Sequence, residues 1–164
     1  LEQKRFEGRA LIRAITQVAI IKLKRDLSSY RSCLHRIDCN LDHIQELRSL
    51  ATKVTVTYRE APGSSSPTSD KSGIIVNIRE LEDAVLADSQ QMMNEYIRIR
   101  YLIDSLDNFR DRQVLQEKYI NGHTWSQISS NIYIEERWVR RIHNRALRRL
   151  FKKMTLLSPP LRMI

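Results

Sequence analysis

Apolar residues that return every three or four positions, over two long stretches, constrain this chain more than any other feature. Leu23, Leu27, Tyr30, Leu34, Ile37, Leu41 and Ile44 alternate steps of four and three, and Ala51 continues the phase. Further on, Ile78, Val85, Met92, Ile99 and Leu106 recur at sevens, with Leu81, Tyr96 and Ile103 at the alternate positions and Asp88 and Ser89 as interruptions. So narrow a stripe suits one helix packed on another. Between the two lies 61–73, APGSSSPTSDKSG, whose prolines, glycines and serines make it a linker with nothing to bury. The expectation is an antiparallel, coiled-coil-like hairpin, each helix of roughly 30 residues spanning about 45 Å. One stripe per helix leaves apolar surface over, so the hairpin is expected to dimerise, form a higher oligomer or fold back on the rest of the chain.

The ends of these helices read less regularly. Residues 1–18 form a helix with Gly8 as a candidate break, the β-branched 52–58 end or fray the first seam, and Ile74 opens the second. With only 4 glycines and 4 prolines in 164 residues, the fold class is all-α. The net charge of +9 points to an anionic partner, and it is uneven. Residues 1–106 hold 16 basic against 14 acidic side chains, and residues 107–164 hold 12 against 5. Cys33 and Cys39 fall on different helical faces, which fits free thiols in a reducing cytoplasm. No apolar run is long enough to span a bilayer and no signal peptide is recognised, so no membrane is expected. The chain opens on Leu1, as a fragment or a processed chain would.

The basic excess gathers in 112–153, RQVLQEKYINGHTWSQISSNIYIEERWVRRIHNRALRRLFKK. Asp107 or Asn108 can cap a first helix with Asp111 in its first turn, and Val114, Leu115 and Tyr119 form its apolar face. Asn121 and Gly122 end it. Thr124 caps a second helix, with Gln127 completing a capping box and Trp125 and Ile128 facing inward. A turn over 131–134 leads to a third helix from about Glu136. Val139, Ile142, Ala146 and Leu150 form its buried face, and the other side is loaded with arginine. A short helix, a turn and a basic helix are what reading a major groove needs. The candidate DNA-contacting residues are Thr124, Trp125, Glu136, Arg137, Trp138, Arg140, Arg141, Asn144, Arg145, Arg148, Arg149 and Lys152. Those nearest the start of the third helix would meet base edges and the later ones phosphates.

This order of residues resembles region four of bacterial sigma factors. More closely, it resembles the phage-encoded regulators built on that region, including late-gene activators and ArpU-like regulators of Gram-positive phages and prophages. Arg112, Gln113, Val114, Leu115, Tyr119, Gly122, Trp125 and Ile128 carry the resemblance. Val139, Ile142, His143, Arg145, Ala146, Leu147 and Leu150 continue it. It is specific over about residues 110–152, and the long helical N-terminal half with a Ser/Pro-rich break agrees with the phage group. It implies sequence-specific binding to double-stranded DNA in a bacterial host cytoplasm, a role in transcription, and contact with RNA polymerase. Two positions depart from it. Tyr133 stands where the family usually has glycine, so a reshaped turn is expected. Glu135 replaces the usual Ser or Thr cap, and with Glu136 it brings negative charge to the DNA-facing end.

The expected layout is therefore a helical arm over 1–106 with its linker at 61–73, a helix-turn-helix domain over 107–153 and a tail over 154–164. Two other functions stay open. One is a coiled-coil assembly or DNA-packaging protein, small-terminase-like, holding DNA with little sequence preference. The other is a sigma-like module that binds RNA polymerase or another protein instead of DNA. His35, Cys39 and His43 share a helix face, but no short Cys/His pair supplies a zinc set, and the solvated back of a helix explains them better. No phosphate-binding glycine loop, nucleophile–histidine set or paired carboxylate stands out, so neither an enzyme nor a cofactor is expected.

Overall fold

The computed structural model describes the backbone of residues 2–60 and 68–157 and the side chains of residues 14–53 and 72–156. Among the described residues six α-helices follow one another. They are α1 (Glu2–Leu27), α2 (Ser29–Glu60), α3 (Thr68–Asp104), α4 (Phe109–Leu115), α5 (Trp125–Ile132) and α6 (Glu136–Leu157). A π-helical turn, Gln116–Ile120, extends α4, and no strand occurs among the described residues. The fold is all-α, a long N-terminal antiparallel helical hairpin followed by a C-terminal helix-turn-helix.

Several helix ends lie beyond the expected ones. Helix α1 passes through Gly8, α2 continues through 52–58, α3 begins at Thr68 and α6 runs to Leu157. Of the expected linker, 68–73 is helical and 61–67 lies outside the described residues. The first seam, in contrast, is broken at Ser28. Its amide reaches the carbonyls of Lys24 (3.1 Å) and Arg25 (3.0 Å), its hydroxyl donates to Lys24 O (2.9 Å), and the Ser29 hydroxyl donates to Asp26 O (2.7 Å). Two adjacent serines thus compete for the carbonyls that close the last turn of α1.

Contacts divide the chain into two compact units, Leu1–Arg31 with Glu95–Ile164, and Ser32–Asn94. In the second, α2 and α3 run antiparallel, in a register marked by Arg36 on Asp88 (2.6 Å) and Arg48 on Glu82 (2.7 Å). Exposed pairs of this kind add little stability, but they set which turns meet. The Arg36 guanidinium holds the Asp88 carboxyl below its ordinary range, and the Ser89 hydroxyl folds back on Val85 O (2.7 Å). The two polar interruptions of the second seam are thereby satisfied. Ile44 and Cys33 are the buried residues of this stretch of α2, whereas Leu41, expected in the seam, is 43% exposed. Past the break the inward face runs through Cys33, Ile37, Ile44, Leu47 and Ala51. Cys33 and Cys39 are free thiols, and Cys39 Sγ lies 3.8 Å from the His35 ring. No three metal-ligating side chains converge among the described residues.

The first unit holds the larger core. Ile20, Leu23 and Leu27 of α1, Ile99 and Ile103 of α3, and Leu106 just after it meet Leu115, Tyr119, Ala146, Leu147 and Leu150. A second, smaller cluster of Val114, Ile128, Ile132 and Val139, flanked by Trp125, Ile134 and Ile142, joins α4, α5 and α6. Helix α6 is therefore buried on a broader front than its spacing indicated, with Leu147 and His143 inside as well. The joint before α4 is fastened by Arg112, which donates to Leu106 O (2.5 Å) and Asp107 O (3.2 Å). Lys153 adds a bond to Asp107 (3.0 Å) and another to Ser105 O.

Candidate nucleic-acid interface

Local chemistry sets each helix of the C-terminal domain. Asn108 is extended and its Oδ1 accepts from the Asp111 amide (3.1 Å), which starts α4. At the far end the π turn closes with Asn121 N–H on Gln116 O (3.1 Å), and Gly122 takes φ +74° to reverse the chain. The Thr124 hydroxyl accepts from Gln127 N–H (3.3 Å) while Gln127 Oε1 accepts from Thr124 N–H (2.8 Å), which is the expected capping box.

Gly122 occupies a conformation that L-residues adopt only at a cost of about 1–2 kcal/mol. A Cβ there would also lie 2.4 Å from Arg31 Cζ, although that guanidinium sits at the end of a flexible side chain and can swing aside. Gly122→Ala is accordingly expected to lower unfolding free energy by about 1–2 kcal/mol in urea, with Gly122→Asn recovering part of the loss. Equal losses for Ala and Asn would show that the backbone is not the cause.

Asp111 has a larger role than the sequence indicated. It is 0% exposed, and its Oδ1 accepts from Arg145 Nη2 (2.7 Å) while Oδ2 accepts from Arg149 Nη1 (2.6 Å). A single carboxylate in the first turn of α4 thus holds two arginines one turn apart on α6. Around it the helices are joined by aromatic packing. The Tyr119 hydroxyl and His143 Nε2 share a hydrogen bond of 3.0 Å, and Trp125 meets the same imidazole edge-on, centroids 4.9 Å apart. Burial, reinforced by Lys24 and Lys118, lowers the His143 pKa to about 4, and burial raises that of Tyr119 to about 12. The imidazole is neutral at pH 7 and serves as a packing and hydrogen-bonding group, not a phosphate contact.

The twelve candidate residues separate into groups. Thr124 uses its hydroxyl in the cap, and Trp125 is half-buried against His143 with Lys118 Nζ 4.6 Å and Arg140 Cζ 5.0 Å from its ring. Glu136 is paired with Arg140 (2.6 Å), in the favourable order along a helix, so much of its negative charge is offset locally. Arg145 and Arg149 belong to Asp111. Arg137, Arg141, Asn144, Arg148 and Lys152, at steps of four, three, four and four, form a single exposed stripe opposite Val139, Ala146 and Leu150. Trp138 flanks it, half-exposed, with Arg141 Cζ 4.6 Å above its ring.

The turn between α5 and α6 is not reshaped. Tyr133 adopts the left-handed conformation itself, φ 53° and ψ 45°, and its amide donates to Ser129 O. Ile134 N–H reaches the same carbonyl (3.2 Å), and the Ser129 hydroxyl donates to Ile134 O (2.7 Å). Glu135 opens α6 through its carbonyl, which accepts from Trp138 (2.9 Å) and Val139 (3.0 Å). Three bonds centred on Ser129 hold the turn and override the preference of tyrosine for other regions.

No curated protein and no solved structure matches the chain. Among the described residues no helix is long and apolar enough to cross a membrane. Residues 102–152, from the last turn of α3 through most of α6, match the family model described as Sigma-70, region 4. This segment is a helix-turn-helix domain of the sigma-70 region 4 type, a DNA-binding class.

Proposed function

We propose that the chain is a transcriptional regulator of phage or prophage type that lays α6 in the major groove of double-stranded DNA. The observation that carries this reading is the exposed stripe Arg137–Arg141–Asn144–Arg148–Lys152 on the second helix of a helix-turn-helix whose core is packed and whose first helix carries a capping box. In such a frame the start of the second helix meets base edges and its later turns meet phosphates. Arg137 and Arg141 are assigned to bases, with Arg141 held in place by Trp138. Arg148 and Lys152 are assigned to the backbone. The protein binds and does not catalyse. The helical arm serves for dimerisation or protein contacts, supported by exposed Leu50, Leu86 and Met93 in the Ser32–Asn94 unit. RNA polymerase is the protein partner that the sigma-like surface fits.

Gel shifts over a salt titration test this reading, with a duplex recovered from a randomised pool by the wild-type chain. Arg137→Ala and Arg141→Ala are expected to lose about 1–3 kcal/mol and to relax sequence preference at one position each. Arg148→Ala should weaken binding to all sequences and reduce the salt slope by about one. Arg145→Ala, whose guanidinium belongs to Asp111, should leave the slope near the wild-type value. Failure of the folded wild-type chain to bind any duplex at low salt overturns the proposal.

A further inference from the structure

We propose that Tyr133 is a DNA-contacting residue, its ring lying against a deoxyribose and its hydroxyl donating to a phosphate beside the groove that α6 enters. The inference rests on the DNA-binding reading above and adds to it a residue outside the basic stripe.

Two features of Tyr133 fit poorly with a purely structural role. Its backbone is left-handed at φ 53°, where a Cβ is unfavourable and glycine is not. Its side chain is 94% exposed, so the ring gains almost nothing by packing within the molecule. The shape of the turn does not depend on this side chain, because the bonds that fix it run through Ser129, Ile134 and the Tyr133 amide. The backbone bonds around Ser129 hold the turn whatever side chain stands there, so the fold bears the strain of a large residue at a position glycine would fill without it, and the exposed ring itself does not offset that strain. Strained residues cluster at ligand-contacting and switch regions.

The surroundings identify the partner. Tyr133 immediately precedes the end of α6 that approaches the groove in a helix-turn-helix. The exposed charged side chains that follow are Glu135, Arg137 and Arg141, with Glu136 held by Arg140, so the cations outnumber the one exposed carboxylate. That combination favours an anion. A tyrosine offers a flat apolar face to a sugar ring and a hydroxyl donor to a phosphate oxygen, a common kind of backbone contact. Such a contact sets how deeply and at what angle the recognition helix sits.

The test compares wild-type, Tyr133→Gly, Tyr133→Phe and Arg148→Ala full-length chains for melting temperature and for binding to the pool-selected duplex. Tyr133→Gly is expected to melt about 2–4 °C higher, because strain is released. The same variant should bind about tenfold more weakly. Tyr133→Phe should melt like the wild type and bind with intermediate strength. Opposite signs for stability and binding cannot come from a turn that merely tolerates tyrosine. Tyr133→Gly binding as tightly as wild type, while Arg148→Ala binds weakly, overturns the inference and leaves the DNA reading intact; the ring would then face a protein or nothing. A lower melting temperature for Tyr133→Gly also overturns it, since the strain would be absent. A folded wild-type chain that binds no duplex defeats both readings.

Discussion

Arg145→Ala/Arg149→Ala is expected to destabilise the chain by about 3–5 kcal/mol, more than removal of the carboxylate they share. The double replacement leaves the Asp111 carboxylate fully buried with no cation beside it. Asp111→Ala leaves two guanidinium groups that are already 48% and 51% exposed and can turn to water, so its cost should be about 2–3 kcal/mol. Each single arginine replacement keeps one partner on the carboxylate and should cost least. Urea unfolding of the four variants gives the order directly. A double variant no less stable than Asp111→Ala would mean that the carboxylate is not dependent on these arginines. The pair of helices that this site joins is α4 and α6, so the same variants should also loosen the angle at which the basic stripe is presented.

The second large effect is on acid stability. His143 is held near pKa 4 in the folded chain against about 6.5 when unfolded, so the unfolded state takes up a proton first. Above about pH 6.5 both states are neutral here and the full stability is present. As pH falls from there toward about 4 the loss grows by about 1.4 kcal/mol per unit, reaching on the order of 3 kcal/mol. The carboxylates held low by their partners, Glu95 by Ser29 and Arg98 and Asp88 by Arg36, lose their contribution only at lower pH, through their depressed folded values. Melting curves between about pH 7 and about pH 5 isolate the histidine. His143→Gln should flatten the dependence while lowering the plateau, because Tyr119 and Trp125 lose part of their packing. A wild-type melting temperature that does not fall across that interval would show that His143 is not kept neutral.

What could be read from the sequence follows the range of the interaction. The Asn108 and Thr124 caps and the Gly122 reversal depend on residues within a few positions; the last two were legible, and the first was narrowed to Asp107 or Asn108. The face Val139, Ile142, Ala146 and Leu150 was legible as a period, but Leu147 and His143 were not. Their burial comes from α1 and from Tyr119 and Trp125, far away in sequence. Arg145 and Arg149 looked like groove contacts because a charged helix face carries no sign of a carboxylate 34 and 38 residues earlier. Tyr133 shows the converse: intrinsic preference argued against a left-handed turn, and three bonds around Ser129 outweighed it. Leu41 lies outside the inward face that Ile37, Ile44 and Ala51 keep, a difference no heptad count registers.

The segment that resembles sigma region 4 is not, physically, a module that can be lifted out of this chain. Ile20, Leu23 and Leu27 of α1 lie outside it, yet they cover Leu147, Leu150 and Leu115 inside it. Cut free at residue 102, the domain would turn the Leu147 and Leu150 side of α6 toward water, while Val139 and Ile142 would stay packed on α4 and α5. Helix α1 is thus a structural part of the domain, and whatever draws it away uncovers the core on which α6 rests.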